Sequence, residues 1–278
     1  MENKVWFVTG ASKGLGLYLT RALLARGYRV AGTSRNLDEL AQAVNAPRER
    51  FLPLAMELAD EASVGKAVSA TLAHFGALDV VVNNAGYGQF GTLEEVSDAE
   101  ARRNYDVNVF GLLNVLRATL PHLREQRSGH VFNISSIGGL VGNFSGWGVY
   151  ISTKFAVSGL TESLHGDLEP FGVKVTLVYP GYFRTEFLTS GSLVRPSRRI
   201  EAYTAARASE AHHIEQINGT QPGDPAKAAT ALIDVYERPF APLHLLLGSD
   251  AVKMAGAKIG QLQKEIAALR AVSVATDF

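Results

Sequence analysis

The chain has 278 residues, 46% of them apolar, with 27 Lys and Arg balanced by 27 Asp and Glu, and no cysteine. Zero net charge offers no electrostatic pull toward nucleic acid or an acidic membrane surface, and the lack of cysteine excludes disulfides and thiol chemistry. The length suits one α/β domain with ample core.

A first strand is expected at Lys4–Thr9, a short β-favouring apolar run that leads into Thr9-Gly10-Ala11-Ser12-Lys13-Gly14-Leu15-Gly16. Leu15, Leu19, Leu23 and Leu24 then recur at helical spacing as far as Gly27, a helix stop. Strand, glycine turn and helix in this order suit a dinucleotide pyrophosphate. Glycines let backbone N–H groups approach the phosphates, and the helix N-terminus adds a favourable dipole. The spacing is G-x-x-x-G-x-G rather than G-x-G-x-x-G. A strand this close to Met1 leaves no room for a signal peptide, and no apolar run approaches the length of a membrane span. A cytoplasmic location and no membrane partner are therefore expected.

Further strands are expected at Tyr28–Thr33, Phe51–Ala55, Leu78–Asn83, His130–Ile134, Lys174–Tyr179 and Leu243–Leu247, with helices between them, notably Ser97–Gln126, Tyr150–Glu169 and Pro225–Glu237. Such alternation implies right-handed crossovers and a parallel sheet covered on both faces. Val80-Val81-Val82 reads as a central strand buried on both sides. Within the helix Tyr150–Glu169, Tyr150 and Lys154 stand one turn apart on one face. A free phenol ionises near pH 10. A neighbouring ammonium favours its anion and lowers that value, giving a proton donor and acceptor usable near neutrality.

Taken in order, Thr9-Gly10 to Gly16, Asn83-Asn84-Ala85-Gly86, Asn108, Ser135-Ser136, Tyr150-x-x-x-Lys154 and Pro180-Gly181 resemble the short-chain dehydrogenase/reductase family in its shorter, non-extended branch. The match covers about the first two-thirds of the chain. It implies a Rossmann-like, doubly wound parallel sheet of order 3-2-1-4-5-6-7, with a cofactor across the carboxyl ends of the strands. It also implies an oxidoreductase that interconverts a ketone or aldehyde and its alcohol.

The resemblance assigns roles residue by residue. Tyr150 exchanges a proton with the substrate oxygen, and Lys154 holds the nicotinamide ribose. Ser136 hydrogen-bonds the substrate oxygen, and Asn108 holds a water in the relay behind Lys154. The gap from Ser136 to Tyr150 is one residue longer than usual, which leaves Ser135 as a fallback. Gly10, Ser12, Lys13, Gly14, Leu15 and Gly16 form the phosphate turn. Glu57-Leu58 stands where the family has Asp-Val against the adenine, and Asn84, Ala85 and Gly86 admit the ribose. Pro180, Gly181, Phe183 and Thr185 meet the nicotinamide.

Cofactor choice is read at the end of the second strand, where a NAD-type site carries an acid for the ribose 2′-hydroxyl. Here stand Ser34, Arg35 and Asn36. A guanidinium binds a 2′-phosphate that a carboxylate would repel, with Lys13 as a second cation, so the expected cofactor is NADP(H). His212-His213 lacks a metal-ligand spacing, and no metal is expected.

Residues 186–219 break the alternating rhythm and sit where the family places a substrate lid. Phe144, Trp147, Tyr182, Phe183, Phe187, Leu188 and Leu193 are expected near the pocket mouth, which suits a fairly apolar small-molecule substrate. A C-terminal helical tail is expected at about 249–271, with Val252, Ala255, Ile259, Leu262, Ile266 and Leu269 packing on the core or on another subunit. Surplus apolar residues on the long helices (Phe110, Leu113 and Leu116; Leu160, Leu164 and Leu168) point to a homodimer or homotetramer. Two other readings of the same fold stay open at this level: a catalytically silent NADP(H)-binding sensor, and an epimerase or carrier-linked reductase.

Overall fold

A computed structural model describes residues 3–189 and 191–278; Met1, Glu2 and Ser190, the last within the expected lid, lie outside them. In chain order the elements are β1 (Val5–Val8), α1 (Gly14–Ala25), β2 (Arg29–Ser34), α2 (Leu37–Val44), β3 (Phe51–Ala55), α3 (Glu61–Phe75), β4 (Val80–Asn83), β5 (Gly88–Gln89) and α4 (Asp98–Tyr105). They continue with α5 (Gly111–Gln126), β6 (Gly129–Ile134), α6 (Gly148–Leu168), β7 (Val173–Pro180), β8 (Leu193–Val194), α7 (Thr204–Ala211), α8 (Pro225–Glu237), β9 (His244–Leu247) and α9 (Ser249–Val274).

Seven strands form one parallel sheet in the order β3-β2-β1-β4-β6-β7-β9. This is the expected Rossmann-like order. The numbering differs only because the two-residue strands β5 and β8, which no sequence pattern marks, pair with each other in a separate small sheet. Both faces of the main sheet are covered, so its strands are apolar throughout rather than alternating. Val5 and Phe7 enter the layer beneath α3, α5 and α6. Trp6 and Val8 enter the opposite layer with Leu19, Leu23 and Leu232 of α1 and α8. Successive side chains of one strand thus serve two cores, as the two-residue period of a strand requires.

Polar residues fix the element ends. Ser97 and Glu100 form a capping box at the start of α4, and Asp60 accepts from Ala62 N at 2.9 Å to start α3. The helix expected over Ser97–Gln126 is continuous but changes pitch, with a π-helical turn at Asp106–Phe110 between α4 and α5. Inside the sheet, Asn83 Nδ2 donates to Asn133 Oδ1 at 2.8 Å, and Asn133 Nδ2 donates to Thr161 Oγ1 at 2.9 Å. This buried chain ties β4 to β6 and β6 to α6, setting the height of α6 against the strand ends.

Two segments lie outside the alternating core. The segment 186–219, expected as a substrate lid, has secondary structure of its own. It carries β8 and α7 and is held by acids just before and in the first turn of α4: Arg207 pairs with buried Glu95 at 2.9 Å, Ile200 N donates to Glu95 at 2.7 Å, and Ser197 N donates to Glu100 at 2.8 Å. The basic run Arg195–Arg199 is likewise consumed by local acids, with Arg195 and Arg199 both on Glu210. The tail helix packs only at its root, where Ala251 and Ala255 are buried; Val252, Ile259, Leu262, Ile266 and Leu269 are exposed. Its apolar spacing is real, but the body of the same chain does not cover it.

Candidate active site

The carboxyl ends of β1, β2, β4, β6 and β7 open into one cavity of about 970 Å³. The glycine turn forms its floor. Gly10 and Gly14 have φ of 67° and 53°, the left-handed region that favours glycine. A methyl group on Gly10 would come within 3.0 Å of the Ala85 backbone. No side chain caps the start of α1, which leaves its first amides for an anion. Gly10, Ser12, Lys13, Gly14 and Leu15 line the cavity, while Gly16 lies behind it. A Cβ on Gly16 would fall 2.2 Å from the Gly10 carbonyl oxygen, so Gly16 is what lets α1 start tight against the turn.

Asn84 works as a staple. Its Nδ2 donates to the Thr9 and Gly10 carbonyls at 2.9 and 3.2 Å, while Thr9 Oγ1 accepts from Asn84 N and Ala85 N. Arg35 is exposed at the rim, and Asn36, also lining, caps α2 by accepting from Glu39 N at 3.1 Å. Lys13, expected beside Arg35 as a second cation, donates to the Gly191 carbonyl at 2.8 Å and so ties the turn to the segment 186–219. Glu57, Leu58, Ala85 and Gly86 line the cavity, as do Pro180, Gly181, Phe183 and Thr185. The Gly181 segment is pinned from below: Asp250 Oδ2 accepts from Tyr182 N at 2.7 Å, and a Cβ on Gly181 would meet that carboxylate at 2.3 Å.

The cradle fits a nicotinamide dinucleotide. Backbone approaches where only glycine fits, an uncapped helix start and a rim guanidinium meet in one cavity, matching pyrophosphate and ribose chemistry.

Tyr150, Lys154 and Ser136 reach the same cavity. Lys154 Nζ donates to the Ile134 carbonyl at 2.9 Å and stands 5.9 Å from the Tyr150 ring centre. Burial pushes Lys154 down to about 8. Burial pushes the Tyr150 phenol up to about 12, against a smaller downward pull from Ser136. This corrects the expected lowering by Lys154. In this state the ammonium is turned to a backbone carbonyl, and loss of water from the phenol outweighs any charge nearby.

The two serines divide. Ser135 Oγ donates to the Lys154 carbonyl at 2.9 Å and contacts Ser158 Oγ at 3.2 Å, whereas Ser136 Oγ accepts from Gly138 N at 3.0 Å beside Tyr150. Asn108, in the π turn, is buried and does not line the cavity. Its Oδ1 accepts from Tyr87 N at 3.0 Å, and its Nδ2 donates to Tyr87 O at 3.0 Å and Thr153 Oγ1 at 3.1 Å.

Phe144, Trp147, Tyr182, Phe187 and Leu188 form the apolar wall beyond Tyr150, while Leu193 turns into the core beneath it. Tyr87, Gln89, His213 and Gln221 also line the cavity, without a signal in the sequence. His213 Nδ1 must donate to Ser209 O at 2.7 Å, because a carbonyl only accepts, so Nε2 of the neutral ring accepts from Tyr182 Oη at 2.9 Å. Burial holds His213 below its ordinary range. The His212-His213 pair thus supplies one wall residue that locks Tyr182, across 31 residues of sequence.

Residues 4–193 match the short chain dehydrogenase family, and the chain belongs to it. The chain is 36% identical over 255 residues to the oxidoreductase BOA17 of Botryotinia fuckeliana, covering 91% of this chain and 92% of that protein. It is 34% identical over 250 residues to a 3-ketodihydrosphingosine reductase of Bacteroides thetaiotaomicron, 89% of each. Among solved structures, a short-chain dehydrogenase from Streptomyces avermitilis superposes with a TM-score of 0.89 at 38% identity, covering 99% of this chain and 100% of that one. A short-chain dehydrogenase from Burkholderia cenocepacia J2315 in complex with NADP superposes at 0.75 with 26% identity, covering 96% and 98%. The chain is thus an oxidoreductase of this family with a nicotinamide cofactor site. Among the described residues no helix is long and apolar enough to cross a membrane.

Proposed function

We propose that the protein is an NADP(H)-dependent reductase of a fairly apolar ketone or aldehyde, running in reverse as an alcohol dehydrogenase. The observation that carries this reading is the convergence of Ser136, Tyr150 and Lys154 on the cavity whose floor is the glycine turn. Arg35 and the absence of an acid at Ser34 favour the 2′-phosphate. The apolar wall favours the substrate class, and the relative named a 3-ketodihydrosphingosine reductase carries a keto substrate in its name.

The bound nicotinamide supplies or accepts the hydride. The chain's own residues handle the oxygen and the proton. Ser136 Oγ donates a hydrogen bond to the substrate oxygen, where negative charge develops. Tyr150, held protonated at neutral pH by burial, delivers its proton from Oη to that oxygen, and takes it back in the oxidative direction. Lys154 Nζ leaves the Ile134 carbonyl for the ribose hydroxyls and the phenol. Asn108 holds the Tyr87 backbone and α6 together, and so positions the wall behind Lys154.

The test is a panel of carbonyl compounds with NADPH, followed by Tyr150→Phe on the best substrate. Removing an acid–base group should lower kcat by about 100- to 10,000-fold, while NADPH affinity stays close to native because the ring remains. A variant that keeps most of its kcat would refute Tyr150 as the proton donor.

A further inference from the structure

The helix α9 begins on the body and then leaves it. Ala251 and Ala255 are buried against Ile137 and Val141, yet every residue from Gln261 to Val274 is exposed. Along and just before that free stretch, four apolar side chains up to Leu269 form a pattern, with Val272 and Val274 lying off it. Ile259, Leu262, Ile266 and Leu269 are 51%, 41%, 68% and 57% exposed, at alternating steps of three and four residues. Such steps line up as one narrow seam, the a and d positions of a heptad repeat. Ile259 and Ile266 take a, and Leu262 and Leu269 take d. Among parallel coiled coils, a β-branched residue at a with leucine at d favours two strands.

The flanking charges select both the occupant and the direction. In this register Lys258 and Glu265 fall at g, and Gln263 and Arg270 at e. In a parallel pair each g residue faces the next e residue of the other helix. Glu265 of one copy then meets Arg270 of the second, and symmetry gives that pair twice. An antiparallel pair would set Glu265 against Glu265. A membrane surface fits less well, because helices that lie on lipid carry a polar face rich in Lys and Arg. The stretch 256–274 has only Lys258, Lys264 and Arg270, with Glu265 among them.

We propose that α9 is a self-association helix, residues 256–274 pairing in parallel with the same helix of a second copy of this chain. The pairing is independent of the catalytic reading, since the seam lies outside the cavity.

The chain has no cysteine, so one introduced thiol reports the geometry directly. In a parallel pair identical d residues face each other across the axis, within the Cα separation of about 4.4–6.8 Å that a disulfide spans. Under mild oxidation Leu262→Cys and Leu269→Cys should each give a covalent dimer on a non-reducing gel, and Lys264→Cys, at the outward f position, should not. Sedimentation should show the mass halved when the chain is ended after Ala257. It should also halve in Glu265→Arg, and return when Arg270→Glu is added. NADPH binding, followed in every variant, separates loss of pairing from loss of the fold and from failure of the catalytic reading. The proposal is overturned if Leu262→Cys cross-links no better than Lys264→Cys, or only when mixed with Ile266→Cys. It is equally overturned if the truncated chain keeps its mass, or if α9 binds phosphatidylserine vesicles while no cross-link forms.

Discussion

Arg35 stands exposed where β2 ends, and its neighbour Ser34 offers a hydroxyl to Ser12 at 3.2 Å instead of the carboxylate that a 2′-hydroxyl would need. A guanidinium–phosphate hydrogen bond contributes about 1.5–3 kcal/mol, and each 1.4 kcal/mol is tenfold in affinity. Arg35→Asp should therefore weaken NADPH by about 10- to 100-fold and bring NADH level with it or ahead. Titration of both cofactors checks this, and equal affinities in the native protein would contradict the NADP(H) reading. At this scale the sequence was most legible where chemistry demands a residue type: the glycines of the turn, Tyr150 with Lys154, and Arg35. It was least legible where a side chain's partner is distant. Nothing local tells Lys13 to reach Gly191, sets Ser135 on the Lys154 carbonyl, or brings His213 to Tyr182. Proton affinities were illegible for the same reason. A spacing of four residues predicts that Lys154 helps Tyr150 ionise, whereas burial, a property of the whole fold, sets the outcome.

Among the elements, strands and long helices were read to within a few residues, because apolar runs and caps are local signals: Phe51–Ala55 and Pro225–Glu237 match their expected bounds. The π turn at Asp106–Phe110 and the β5–β8 pair escaped, since neither has a period of its own. In the segment 186–219 the basic side chains are satisfied locally. Arg195, Arg199 and Arg207 are structural, clamped by Glu95 and Glu210. Burial pushes the Glu95 carboxyl up, but hydrogen bonds from Ile200 and Thr92 and the charge of Arg207 outweigh it and hold it below its ordinary range. A depressed carboxylate stabilises the folded arrangement above its unfolded pKa of about 4.3, and that contribution fades as pH falls through the lower folded value. Hydrogen exchange over residues 195–211 should thus show protection at neutral pH that is lost in the acid range, before the central strands open. At pH 7, Glu95→Gln should loosen the same residues, because removing one partner of a buried pair costs about 3–5 kcal/mol. Protection unchanged in that variant would show that the clamp does not hold the segment, and would weaken its reading as a substrate lid.

Beyond the α9 seam, the described residues leave other large apolar side chains exposed, Phe110 and Phe155 among them. Of the surplus residues, Leu116, Leu164 and Leu168 are spent on the core, Leu113 and Leu160 are half-buried and Phe110 of the π turn is exposed, as is Phe155 of α6, which the sequence did not single out. The two phenylalanines lie on neighbouring elements joined by the Asn108–Thr153 hydrogen bond at 3.1 Å. Covering a phenylalanine gains about 1.5–3 kcal/mol, so burying both on each copy about a two-fold axis would stabilise a contact between bodies. The proposed α9 pairing is a second contact of the same isologous kind. Two different two-fold contacts on one chain close into a symmetric tetramer when their axes cross at right angles, and with that geometry the prediction is four copies of the 29.9 kDa chain. Phe110→Glu combined with Phe155→Glu should leave a dimer joined through α9, and ending the chain after Ala257 should leave a dimer joined through the bodies. Applying both should give a monomer. Sedimentation at micromolar concentration reads all four states, and a phenylalanine variant that keeps the parent mass would remove the body contact from the assembly.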